Sequence, residues 1–69
     1  MDYKEAGGKI ILALYQQGLT QKELAEKTGI NPATINKACN GQRVGNNTLN
    51  AISEELGITL IIQFPQKKD

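Results

Sequence analysis

Behind the dipeptide Asn31-Pro32 the chain sets out a methyl, a hydroxyl, a carboxamide and an ammonium, at Ala33, Thr34, Asn36 and Lys37. A helix that merely faces solvent favours Glu, Lys and Gln instead. These four groups donate and accept hydrogen bonds, offer apolar contact and carry one positive charge. None is a nucleophile with a base at hand. Their chemistry is reversible recognition of a polar, negatively charged surface, approached closely because the side chains are small. Residues 31–50 add Arg43 to Lys37 and contain no acid, whereas the acids stand at Asp2, Glu5, Glu23, Glu26, Glu54, Glu55 and Asp69. A chain of net charge +1 can thus still present one locally positive face.

Catalytic parts are missing. The chain has no histidine and a single cysteine, Cys39, which falls on the apolar side of its segment and reads as a small buried hydrophobe. Glu54 and Glu55 are helix neighbours that do not converge on one site. There is no metal-ligand cluster and no phosphate-binding glycine loop, so no enzyme activity, metal or other cofactor is expected. One cysteine also precludes an intrachain disulfide, which fits a reducing cytoplasm. The longest apolar run, Ile10 to Tyr15, is too short to span a bilayer, and no membrane association is expected.

The elements that must position these groups fit one small domain of 69 residues. A first helix begins a few residues in and reaches Gln17, with Gly18 as its C-cap and Gly7-Gly8 weakening its start. Its apolar residues form a wide band from Ile10 to Tyr15. Tyr3, Tyr15 and Phe64 suit packing better than stacking. Thr20-Gln21-Lys22-Glu23 is a capping box that opens a second helix, with Leu24, Ala25 and Thr28 on one face. Gly29 ends it, and Ile30 plugs the turn. Asn31 caps a third helix, with Pro32 at its first position. Ile35, Ala38 and Cys39 make its buried face, and Asn40-Gly41 close it. A fourth helix, capped near Asn46 or Asn47, runs to Leu56 with Leu49, Ile52 and Leu56 inward. Ile58 to Phe64 alternates and is β-branched, so it reads as a strand that Pro65 ends. The expected class is mainly α, about four helices and one C-terminal β-strand. Residues 1–57 would form the domain, 58–64 a dimerising strand and 65–69 a polar tail.

Two short helices joined by a tight turn at Gly29 make a helix-turn-helix. In that motif the second helix enters the major groove of DNA and its first turns touch bases. Ala33 and the Thr34 methyl would meet a thymine methyl, Asn36 would pair with adenine, and Lys37 would reach guanine or a phosphate.

The stretch from Leu19 to Arg43, "LTQKELAEKTGINPATINKACNGQR", resembles the helix-turn-helix of the Cro and lambda-repressor-like (XRE-type) family, and Thr48 to Ile58 resembles its closing helix. The shared elements are Leu19-Thr20-Gln21, Glu23-Leu24-Ala25, Gly29-Ile30, Ile35 and Asn40-Gly41. The resemblance implies that Gln21 touches a phosphate and braces the reading helix. It implies base reading by Ala33, Thr34 and Lys37, packing by Pro32, a phosphate contact at Asn40, and backbone contacts from Gln42 and Arg43. Asn31 is a cap first, with a phosphate contact as an additional role. The segment "VGNN" departs from the family pattern; Asn46 or Asn47 is the candidate phosphate contact there. By resemblance the chain is a transcriptional regulator, a repressor of a bacterium, phage or mobile element, with double-stranded DNA as partner. A DNA-binding antitoxin with a toxin partner and a protein-interaction module without DNA are the rivals.

A lone strand leaves its backbone donors and acceptors unpaired. The expectation is a homodimer, with Ile58, Leu60, Ile61, Ile62 and Phe64 pairing antiparallel to the same strand of a second copy across a two-fold axis. Two reading helices would then face a palindrome.

Overall fold

The computed structural model describes residues 1–62. Four helices follow one another: α1 (Tyr3–Gln17), α2 (Gln21–Thr28), α3 (Pro32–Cys39) and α4 (Asn46–Leu56). Helices as short as α2 and α3, eight residues each, do not persist alone in water. They are held by capped ends and by a shared core. Thr20 and Glu23 form the reciprocal capping box of α2, with the Glu23 amide donating to Thr20 Oγ1 at 3.0 Å and the Thr20 amide donating to Glu23 Oε1 at 2.9 Å. Asn31 Oδ1 accepts from the Ala33 amide at 2.8 Å, and Pro32 follows at the first turn, where its missing N–H costs nothing.

α1 starts a few residues in, at Tyr3, as expected, and runs through the glycine pair. Asp2 and Glu5 make a second capping box, with the Glu5 amide donating to Asp2 Oδ1 at 2.8 Å and the Asp2 amide donating to Glu5 Oε1 at 3.0 Å. Two satisfied amides offset the poor helix propensity of Gly7 and Gly8. The cap of α4 differs from expectation. Gly45 is its N-cap and supplies no side-chain hydrogen bond, so Asn46 is the first helical residue rather than the cap.

Each helix sends one aliphatic side chain to the centre. Ile10, Leu24, Ile35 and Ile52 are fully buried, and burying each is worth about 1.5–3 kcal/mol. Around them lie Ala13, Leu14, Ala25, Ala38, Cys39, Leu49 and Leu56, with Ile30 partly buried against the cluster. α3 packs on both α1 and α2, and α4 packs on α1 and α2. Gln17 Nε2 donates to the Leu56 carbonyl at 2.8 Å, tying the ends of α1 and α4 together.

The apolar band of α1 splits in two. Ile10, Ala13 and Leu14 face the core, while Ile11, Leu12 and Tyr15 are exposed, Tyr15 by 84%. Tyr15 therefore does not pack inside its own domain as expected. The C-terminal strand is also absent over residues 58–62, which lie outside any helix or strand. Leu60 is buried, Ile58 and Ile62 are half-buried, and Ile61 is exposed. The physical reason is the one that makes a lone strand unfavourable: a ladder needs a second edge, and no described residue offers one. Phe64, the last expected strand residue, and the polar tail lie outside the described residues. No helix among the described residues is long and apolar enough to cross a membrane.

Candidate nucleic-acid interface

The turn between α2 and α3 fixes how the third helix is presented. Gly29 adopts φ +73°, in the left-handed region that glycine enters without strain. Thr28 Oγ1 donates to the Leu24 carbonyl at 2.8 Å and accepts from the Ile30 amide at 3.3 Å. One hydroxyl thus closes the helix and starts the turn. Ile30 then dips against the core, and Asn31 reopens the chain as a helix.

This construction points Ile35, Ala38 and Cys39 inward, at 0–3% exposure. The opposite side of α3 carries Pro32, Ala33, Asn36, Lys37 and Asn40, all exposed, with Thr34 half-buried at the margin. The candidate base-reading residues are accordingly on one accessible face, Thr34 least so. Lys37 sits in the last turn of α3 with no acid on that helix. From Lys27 to Ser53 the chain holds Lys27, Lys37 and Arg43 and no carboxylate. Carboxylates are thus absent from α3 and the loop after it, while Glu26 of α2 lines a surface hollow with Asn31 and Pro32 at the start of α3.

Gln21 opens α2 and is half-buried beside this face. Asn36 Nδ2 donates to Gln21 Oε1 at 3.2 Å, and Asn40 Nδ2 donates to Asn36 Oδ1 at 3.1 Å. The three carboxamides form one chain across α2 and α3. The resemblance implies that Gln21 braces α3; the structure supplies the partner, Asn36, and the extension to Asn40. Gln21 and Asn36 are fifteen residues apart, and only the packing of α2 on α3 brings them together.

Beyond α3, Gly41 takes φ +79°, and Gln42 and Arg43 are exposed in the loop to α4. Val44 anchors that loop in the core at 8% exposure. Arg43, Val44, Gly45 and Asn46 line a surface hollow together with Tyr3 of α1. The hollow opens at the start of α4, whose leading amides receive no side-chain cap. Uncapped amides beside a guanidinium suit an anionic oxygen. The sequence assigns Tyr3 to packing, and no local signal places it at this hollow, since it is remote in sequence from the loop it faces. Asn31 and Asn46 are both exposed, Asn31 with its side-chain oxygen committed to the cap.

Cys39 is buried, and burial pushes its thiol up from the usual range because the thiolate would be desolvated. It lies on the core side of α3, away from the exposed polar face. Among the described residues no group of three or more His, Cys, Asp or Glu side chains is placed to hold a metal ion.

A family model described as Helix-turn-helix, of the XRE type, matches residues 10–62, which takes in the second half of α1, all of α2 to α4 and the segment after them. No curated protein and no solved structure matches the chain significantly. The chain belongs to the XRE-type helix-turn-helix family of DNA-binding transcriptional regulators.

Proposed function

We propose that this chain is a repressor that binds a palindromic DNA operator as a homodimer in the cytoplasm, reading bases with the exposed face of α3. One observation carries the reading: Ala33, Asn36 and Lys37 stand exposed on a carboxylate-free face of α3 while Ile35, Ala38 and Cys39 lock the opposite face into the core. A rigid helix presenting small and amide side chains can enter the major groove. Ala33 and the methyl of Thr34 meet thymine methyls, and Lys37 reaches guanine or a phosphate. Gln21, Asn40, Gln42, Arg43 and Asn46 take the flanking phosphates, with the uncapped start of α4 beside Arg43 and the exposed backbone of the Asn31 turn on the other side. Repression then needs only occupancy, because a protein seated on an operator excludes other proteins from it.

The homodimer rests on residues 58–62. No backbone or side-chain hydrogen bond engages residues 59–62 among the described residues. The stretch carries no charge, and Ile61 is 63% exposed. A second copy of the same segment, run antiparallel, would satisfy those groups and turn the stretch into the strand it does not form alone. The exposed Ile11, Leu12 and Tyr15 supply further uncharged surface for burial. Two α3 helices would then lie about 34 Å apart, one helical turn of DNA.

The direct test selects a binding site from random duplex DNA and measures affinity against salt. Repressor-like binding gives a selected site held at least about 1,000-fold more tightly than a scrambled duplex, with log affinity falling steeply as log salt rises. Recovery of no preferred sequence, with wild-type protein indifferent to salt, overturns the reading.

A further inference from the structure

The carboxamide chain has a direction. Asn40 donates to Asn36, and Asn36 donates to Gln21. Gln21 Oε1 is thereby occupied, and Gln21 Nε2 makes no hydrogen bond among the described residues. A glutamine left to itself turns either its carbonyl or its amide outward. A phosphate oxygen only accepts, so only the amide face serves it. The dipoles of the three amides also align head to tail, which polarises the terminal N–H groups. Edge-on pairing of Asn36 with adenine would call on the same two atoms that already hold Gln21 and Asn40.

We propose that Asn36 is a positioning residue for DNA binding: it holds the Gln21 carbonyl so that the Gln21 amide donates to a DNA phosphate, and it acts through Gln21 rather than on a base. This rests on the DNA-binding reading given above. It assigns to Asn36 a contribution that is blind to sequence, in place of the adenine contact its type suggests.

The test uses the full chain and its Gln21→Ala, Asn36→Ala and double variants, with two duplexes of equal length, one carrying the selected site and one scrambled. Asn36 is exposed in a helix, and alanine is the better helix former, so the variant folds; its melting curve checks this. Asn36→Ala is expected to weaken binding to both duplexes by the same factor, about three- to tenfold, and to cost nothing more in the Gln21→Ala background. The selected-to-scrambled ratio stays at the wild-type value. A loss confined to the selected site identifies a base reader and overturns the proposal. So does a loss that simply multiplies with that of Gln21→Ala, or no loss on either duplex. Wild-type protein that holds neither duplex instead overturns the DNA-binding reading, a failure visible before any variant is compared.

Discussion

A Cβ built on Gly7 would lie 2.8 Å from the carbonyl oxygen of Ala38. The carbonyl of Cys39 and the amide of Gly41 would be equally close, at 2.8 and 2.9 Å. α1 and the C-terminal end of α3 therefore meet backbone to backbone, and only glycine allows it. This contact seats α3 on the longest helix of the domain. Gly8, one residue on, faces open space. Gly7→Ala should destabilise the fold by about 1–3 kcal/mol through overpacking. Gly8→Ala should stabilise it by about 0.5–1 kcal/mol through helix propensity. Denaturant titration of the two variants checks the pair, and two shifts of the same sign would contradict this packing.

Ile35 is the central side chain of α3 and is fully buried with Leu24 and Ile52 in one core. Truncating it to alanine should cost about 2–5 kcal/mol, part transfer and part cavity. That is comparable with the whole stability of many small domains. A melting temperature barely altered by Ile35→Ala would mean that the assigned face of α3 is wrong.

Cys39 gives a pH dependence whose sign follows from its burial. Its folded-state pKa is raised by desolvation, so the folded chain holds the thiol proton more firmly than the unfolded chain does. The stabilisation is whole while both forms are protonated. It declines as pH rises above about 8.5, where an unfolded cysteine ionises. Cys39→Ala should remove that decline while lowering stability at neutral pH through lost packing. Unfolding curves of the two proteins between neutral and alkaline pH provide the comparison; equal alkaline slopes would contradict it.

Much of the fold was legible because its signals are local. Thr20 to Glu23, Gly29, Asn31-Pro32 and the inward spacing of Ile35, Ala38 and Cys39 each specify a short piece of backbone by their own chemistry. Two things were not legible for one shared reason: they depend on what packs against what. Gly7 reads as a helix breaker until α3 lies on it. The Asp2–Glu5 box, by contrast, is as local as Thr20–Glu23 and needs no packing to form. Tyr15 and Ile61 read as core or strand residues, yet they are exposed because nothing in the described chain covers them. The site divides the same way. Its residue types and its accessible face follow from helical spacing, but the link from Gln21 through Asn36 to Asn40 exists only once α2 and α3 are packed.

The proposed pairing of residues 58–62 makes Ile61 a selective point of attack. The Ile61 amide has no partner among the described residues, so Ile61→Pro should leave the four-helix domain folded while removing a ladder donor. Sedimentation should show wild-type dimers and variant monomers, with affinity for a palindrome falling far more than affinity for a half-site. A monomeric wild-type protein at micromolar concentration, or a variant that still dimerises, would contradict the pairing.

The central claim is that the exposed face of α3 reads bases, and the ratio of selected-site to scrambled-duplex affinity measures it most directly. Thr34→Ala and Lys37→Ala should each reduce that ratio, weakening the selected site by about 1–3 kcal/mol while leaving scrambled DNA nearly unaffected. Arg43→Ala is the internal comparison. It should weaken both duplexes alike and lower the salt slope by about one. The account predicts this division between α3 and the loop that follows it. A ratio left at its wild-type value by both Thr34→Ala and Lys37→Ala would contradict it.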